Sequence, residues 1–227
     1  MTTRAVAIVV AAGTGRRLSA GAPKAFVPVG GVPMLVRSVR AALASPSISS
    51  VVVAAPRGDE SAAASMLAGV DGVTIVTGGA SRHASVRACL DAVDAEVETV
   101  VVHDAARPFA PPSMFTAVVE ALIDGDGCVP VVPLTDTVKR VRDGSVISTE
   151  DRDELAAAQT PQSFRARALR DAHARAEAEG REFTDDAAAL EWAGYRVRAV
   201  DGHPSNVKIT TTEDLSRAED VLRTVAG

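Results

Sequence analysis

The residues richest in chemistry lie near the start of the chain. "AAGTGRRLSAGAPK", residues 11–24, carries three glycines, three cations and no acid, directly after the apolar run Ala5–Val10. Glycine at 13 and 15 lets backbone N–H groups approach phosphate oxygens and form a concave nest for negative charge. Arg17 adds a planar fork of donors, and Lys24 adds a point charge. Holding a phosphate needs only a few amides and one cation. Two cations on one loop suit a phosphoryl group on which charge grows during a reaction. The plainer alternative is a basic, solvated loop. Two other nucleotide loops fit badly. A Walker loop needs GK[ST], but Lys24 stands between Pro23 and Ala25. A dinucleotide fingerprint needs a third glycine and a downstream acid, yet Gly13-x-Gly15 runs into Arg16-Arg17-Leu18 and the first acid is Asp59.

Two further segments offer matching groups. "VVVHDAARPF", Val100–Phe109, ends an apolar strand on Asp104. Beside a polyanion, such a carboxylate is a Mg²⁺ anchor, because hard oxygen ligands suit that ion and phosphates complete its shell. Capping the next turn or pairing with Arg107 is the structural alternative. "GGASRHASV", residues 78–86, is a glycine turn with Ser85 able to offer a hydroxyl. His103 reads as structural, and Asp185 and Asp186, after Thr184, read as helix-start acids favoured by the dipole.

The elements around these segments alternate strand and helix. "RAVAIVVAA", "SSVVVAA", "GVTIVTGG", "ETVVVHDAARP" and "GCVPVVPL" read as strands. Helices are expected between them, in "PMLVRSVRAALAS", Glu60–Leu67, "SRHASVRACLDAV" and "PPSMFTAVVEALIDG". This rhythm implies a Rossmann-like, doubly wound α/β fold with a mostly parallel sheet and helices on both faces. Loops at the carboxyl ends of such strands bind ligands, which brings the three segments to one edge. Residues 134–155 break the rhythm. "TVKRVR" and "SVIST" flank Asp143-Gly144, a hairpin turn signal, and their charges suit an exposed β-hairpin arm. Beyond it come a helix near Arg165–Glu179, another opened by Thr184 as N-cap, the strands "YRVRAVDG" and "NVKIT", and a last helix from "TTEDL". The organisation expected is one domain over residues 1–227 with a protruding hairpin at 134–155, without repeats.

Composition narrows the function class. Residues 1–58 hold seven Lys/Arg and no Asp or Glu, leaving 17 basic against 29 acidic side chains in the remainder. A cationic first quarter on an acidic chain indicates a local anion site, not a nucleic-acid surface. Aromatics at 3% leave little for base stacking. No apolar run approaches the ~20 residues of a membrane span, and no secretory pattern opens the chain, so a cytoplasmic protein is expected. Cys89 and Cys128 lack CxxC spacing, and the four histidines lack paired spacing. Zinc is not expected.

Taken together, "AAGTGRR…PK", "GGxxRxxSV", "VHDAARP", "DTVKR", "DR…TPQ", "FTDDAAALE" and "NVKITTTEDL" occur in order along nearly the whole chain. With them the sequence resembles the 2-C-methyl-D-erythritol 4-phosphate cytidylyltransferases of the non-mevalonate isoprenoid route. The resemblance implies a Mg²⁺-dependent joining of CTP and methylerythritol phosphate to CDP-methylerythritol and pyrophosphate. It implies that Ala11, Ala12, Gly13, Gly15, Gly79, Ser85, Asp104 and Ala105 surround the nucleotide. Arg17 and Lys24 would hold the triphosphate and stabilise the transition state, with the metal on Asp104. Thr137, Arg152, Thr160, Lys208 and Arg107 would face the acceptor. The arm would cross to a partner in a homodimer, so that Thr137 and Arg152 complete the neighbour's site. Ala80 departs from the pattern, since family members often carry an acid there. Ser205 and Thr212 also replace residues that vary near "NVKIT". Judged on their own contexts, Thr137 and Arg152 could brace the arm, and Lys208 could be a solvated edge lysine. The rival functions are a ribitol 5-phosphate cytidylyltransferase and a non-catalytic nucleotide-binding protein.

Overall fold

The computed structural model describes residues 4–13 and 22–226. The strand β1 (Ala5–Val10) is an unbroken apolar run and lies at the sheet's centre, with five of its six residues buried. A short hairpin, β2 (Pro28–Val29) and β3 (Val32–Pro33), turns at Gly30-Gly31, both at positive φ as a tight two-residue turn demands. Helix α1 (Met34–Leu43) returns the chain to β4 (Ile48–Ala55), and α2 (Glu60–Met66) leads to β5 (Val73–Thr77). Next come α3 (Arg82–Asp91), β6 (Thr99–Asp104), α4 (Pro112–Glu120) and β7 (Gly127–Pro133). β8 (Lys139–Arg142) and β9 (Ser145–Thr149) follow, then β10 (Ala156–Ala158), β11 (Gln162–Arg165), α5 (Ala166–Ala178), α6 (Asp186–Trp192), β12 (Val197–Asp201) and α7 (Thr212–Ala226).

The main sheet runs β5-β4-β1-β6-β11-β7. Gly127 pairs with both Phe164 and Val197, and Val131 with both Ala158 and Asp201. β12 therefore takes one edge of β7, while β10 and β11 share the other. The β1–β4, β1–β6, β4–β5 and β7–β12 pairs are parallel; β10 and β11 run against the rest. Strand order reverses at β1: β4 and β5 lie on one side of it, β6 and its successors on the other. That switch point is where an open α/β sheet leaves a crevice.

Core packs on both faces. Val9, Leu35, Val39 and Phe115 belong to one buried cluster, and Ile8, Val102, Phe164, Leu169 and Leu190 to the other. Their alternation along β1 is the period of two by which successive side chains face opposite sides of a sheet. The two expected faces of helices are thus present, and the mostly parallel Rossmann-like reading holds. No helix among the described residues is long and apolar enough to cross a membrane.

The hairpin is present as a separate two-stranded sheet, β8-β9, turning at Asp143 and Gly144, both at positive φ. It is exposed, and Val141, Val146 and Ile147 are each more than half accessible.

Three expectations are corrected. "NVKIT" alternates like a strand but forms none. Its Ile209 amide donates to the Ala106 carbonyl, so the segment crosses the ends of the strands without joining the ladder. The N-cap of α6 is Asp185, not Thr184, since the Asp185 carboxylate accepts from the Ala188 amide. Residues 156–164, to which the sequence reading assigns no element, contribute β10 and the start of β11, and Arg165, expected to open the helix, ends β11.

Candidate nucleotide site

At the switch point a cleft of about 470 Å³ opens. Its walls come from the end of β1 (Ala11, Ala12, Gly13), the turn at Lys24, the glycine turn before α3 (Gly79, Arg82, Ser85), the end of β6 (Asp104, Ala105) and the "NVKIT" crossing (Lys208). Nine of the residues singled out from sequence are thereby brought together. Arg17 and Gly15 lie outside the described residues.

Each wall has a local cause. Ala11 is held to the sheet by its amide donating to the Ala54 carbonyl. Gly78 and Gly79 are required by close approach: a Cβ on Gly78 would land on the Ala12 Cβ, and one on Gly79 would land on Ala84. At Gly13 a Cβ would meet nothing within 4 Å among the described residues. Lys24 begins a 3-10 turn, Lys24–Phe26, whose Ala25 and Phe26 are buried. Core packing two residues away thus fixes a half-buried lysine at the cleft. Ser85 lines the cleft, but its hydroxyl is engaged: it accepts from the Gly79 amide (3.1 Å) and donates to the Ser81 carbonyl (2.8 Å). It braces the turn.

Asp104 is the electrostatic centre. Arg82 Nε donates to Oδ1 (3.1 Å), and Lys208 Nζ donates to Oδ2 (2.6 Å). Burial opposes ionisation of this carboxyl, but Arg82 and Lys208 outweigh it and hold it well below the usual carboxylate range. Lys208 is 42% exposed along its side chain, yet its ammonium is committed to Asp104.

Behind Asp104 the hydrogen positions can be deduced. The Asp104 amide donates to Thr160 Oγ1 (3.0 Å), which sits 3.1 Å from His103 Nδ1. His103 Nε2 lies 3.2 Å from the Arg107 carbonyl, which can only accept. Nε2 therefore carries the ring proton, and Nδ1 accepts from the Thr160 hydroxyl. Burial holds the His103 ring neutral, with its pKa lowered to about 4. Thr160 is 4% exposed and serves the strand end. Its expected contact with an acceptor is replaced by support of Asp104. Thr160→Val leaves the Asp104 amide without this acceptor and costs about 1–3 kcal/mol of stability, the usual penalty for an orphaned buried polar group. Chemical denaturation measures it; an unchanged midpoint contradicts the assigned bond.

Arg107 is also placed differently from expectation. Its guanidinium donates to the Asn206 carbonyl (2.8 Å) and the Ala158 carbonyl (3.1 Å), clamping "NVKIT" to β10. Thr137 and Arg152 do not line this chain's cleft. They stand exposed at the base of the hairpin, where Arg152 Nη1 donates to the Thr135 carbonyl (2.8 Å).

Among the described residues no three His, Cys, Asp or Glu side chains cluster as a metal cage. The donor set fits an ion that takes one carboxylate and draws its other ligands from phosphates and water, as Mg²⁺ does. Each Asp104 oxygen has one cationic partner and retains a further lone pair.

Arg82 and His173 were missed from sequence, and Asp186, read as a helix-start acid, turns out to be their shared partner. Arg82 Nη1 donates to Asp186 Oδ2 (2.6 Å), and His173 Nε2 donates to Asp186 Oδ1 (2.9 Å). The available signal was the arginine inside "GGxxRxxSV".

Known proteins resemble this chain in sequence and fold. The family described as IspD, 2-C-methyl-D-erythritol 4-phosphate cytidylyltransferase, matches residues 5–224. A bifunctional enzyme IspD/IspF from Clavibacter michiganensis is 47% identical over 97% of this chain and 55% of its own length. A 2-C-methyl-D-erythritol 4-phosphate cytidylyltransferase from Frankia casuarinae is 47% identical over 96% of this chain and 81% of its own. The crystal structure of the enzyme of that name from Thermus thermophilus superposes with a TM-score of 0.81 at 34% identity, covering 96% of this chain and 99% of that one. The chain spans about half the length of the bifunctional relatives it matches.

Proposed function

The chain belongs to the 2-C-methyl-D-erythritol 4-phosphate cytidylyltransferase family, and from that premise we propose that it joins CTP and 2-C-methyl-D-erythritol 4-phosphate, releasing pyrophosphate. The observation that carries this reading is the convergence of Lys24, Asp104 and Lys208 on one glycine-walled cleft at the sheet's switch point.

The acceptor phosphate attacks the α-phosphorus of CTP in line. A P–O bond forms to that phosphorus, the bond to the bridging oxygen breaks, and pyrophosphate leaves with the electron pair. A phosphate monoester has its second ionisation near pH ~6, so the nucleophile needs no general base. A neutral, buried His103 is consistent with that. What the step needs is charge management. Lys24, with Arg17 from the sequence pattern, stabilises oxygens whose charge grows at the five-coordinate stage. Lys208 turns its ammonium toward the same space while pairing with Asp104. Asp104 is the carboxylate that would hold Mg²⁺, which when bound offsets triphosphate charge. Positioning of the acceptor falls to Thr137 and Arg152 of a neighbouring subunit. Support for this is the exposed apolar surface of the hairpin, at Val141, Val146 and Ile147, which a second copy would cover.

Purified protein given CTP with either 2-C-methyl-D-erythritol 4-phosphate or ribitol 5-phosphate tests the reading through pyrophosphate release. Release is expected with the first and not the second. Release with ribitol 5-phosphate alone reassigns the acceptor, and CTP binding without release under either condition ends the enzymatic reading. The shared-site arrangement has its own consequence. Mixing Arg152→Ala chains with Lys24→Ala chains yields heterodimers in which one of two sites is intact, so part of the activity returns. No return in verified heterodimers contradicts arm exchange.

A further inference from the structure

Asp186 is a carboxylate buried to 2% exposure, in the first turn of α6, which no step of the mechanism uses. Burying such a group is costly unless it is paired and fully hydrogen-bonded. Here both oxygens are met: Oδ1 by His173 Nε2 and Oδ2 by Arg82 Nη1. His173 is itself buried and stacked on His83 at 3.9 Å between ring centroids. Arg82 divides its fork between two acids, giving Nη1 to Asp186 and Nε to Asp104, and its Nη2 has no partner. A planar guanidinium left with Asp104 alone would turn to take both carboxylate oxygens, the bidentate geometry it prefers. That would displace Lys208 from Oδ2 and cover the lone pairs through which Asp104 meets a ligand.

We propose that Asp186, pinned by His173, is a positioning residue: it holds Arg82 back to a single bond with Asp104 Oδ1, and so keeps Oδ2 and the outer face of Asp104 available to Lys208 and to a nucleotide-bound divalent ion. The proposal rests on the reading of Asp104 above. It adds that the strength of nucleotide binding in the presence of metal is set from the opposite side of the guanidinium, through α5 and α6.

Calorimetric titration of CTP with and without Mg²⁺ tests it. Wild-type chain is expected to bind CTP more tightly when Mg²⁺ is present. In Asp186→Asn that gain shrinks by roughly 10–100-fold, the range for loss of a group supporting a metal ligand, while affinity without Mg²⁺ changes little. His173→Leu leaves both ion pairs but frees Asp186 Oδ1, and shifts the same quantity in the same direction. It carries the test should Asp186→Asn fail to fold. Because Asp186 acts through Arg82, adding Asp186→Asn to Arg82→Gln brings no further loss. A purely structural tie would lower the thermal midpoint and leave the Mg²⁺ gain intact; that result, or additive losses in the double variant, overturns the proposal. A wild-type chain whose CTP affinity ignores Mg²⁺ removes the Asp104 reading and this proposal with it.

Discussion

Lys24→Ala lowers kcat by about 10²–10³-fold, the cost of removing one preorganised donor from a site where charge develops, and leaves the fold in place. The two halves of this result have separate causes. The turn that carries Lys24 is anchored by the buried Ala25 and Phe26, which the substitution does not touch. The ammonium contributes to the cleft, where under the proposed function a dianionic acceptor would approach a triphosphate. A lysine that only bound substrate would raise KM at constant kcat. Saturating kinetics on the variant therefore separate the roles, and turnover equal to the wild type overturns the catalytic one.

Asp104→Asn damages stability and activity together. Asp104 is 8% exposed and its carboxylate pairs with both Arg82 and Lys208. An amide of the same shape gives these cations one acceptor and turns a donor toward the other. The cost is about 1–3 kcal/mol, that of leaving buried polar groups imperfectly paired, because Lys208 reaches solvent and Arg82 keeps Asp186. Losing the carboxylate expected to anchor the metal removes several kcal/mol of transition-state stabilisation, or about 10³-fold in rate. Denaturant midpoints and kcat/KM should both fall. A variant with normal stability would contradict the ion-pair geometry, and one with normal kcat/KM would contradict the role of the carboxylate in the reaction.

These effects differ in how far they can be traced in the chain's own letters. β1, β4, β6 and β7 each contain a run of apolar residues, and burial is what such runs are for. β11 carries no such mark. Its Gln162 and Ser163 are buried polar residues that donate to Asp185 and to the Val118 carbonyl, partners far away in sequence. "NVKIT" misleads in the opposite sense. Its alternation is strand-like, but Asn206 is spent on the Thr160 carbonyl and Gln159, and Lys208 on Asp104. Alternation there records two sides of a crossing segment. The cleft's lining by Gly13, Lys24, Gly79 and Asp104 was legible because glycines, a loop cation and a strand-end acid each have a local reason for being where they are. The Arg82–Asp186 pair joins residues 104 positions apart, and no window of sequence contains it. Arg107 and Thr160 sit in the right segments but turn inward, which motif spacing does not reveal.

A crystal structure of the full chain with CTP and Mg²⁺ bears most directly on whether cationic side chains and a metal-holding carboxylate meet at the nucleotide's innermost phosphate. The expected result is Lys24 Nζ within hydrogen-bonding distance of an α-phosphate oxygen, ~3 Å, with the ion bridging Asp104 and the phosphates. Nucleotide bound elsewhere, or in this cleft with Lys24 turned to bulk water and Asp104 remote from any phosphate, would contradict the account.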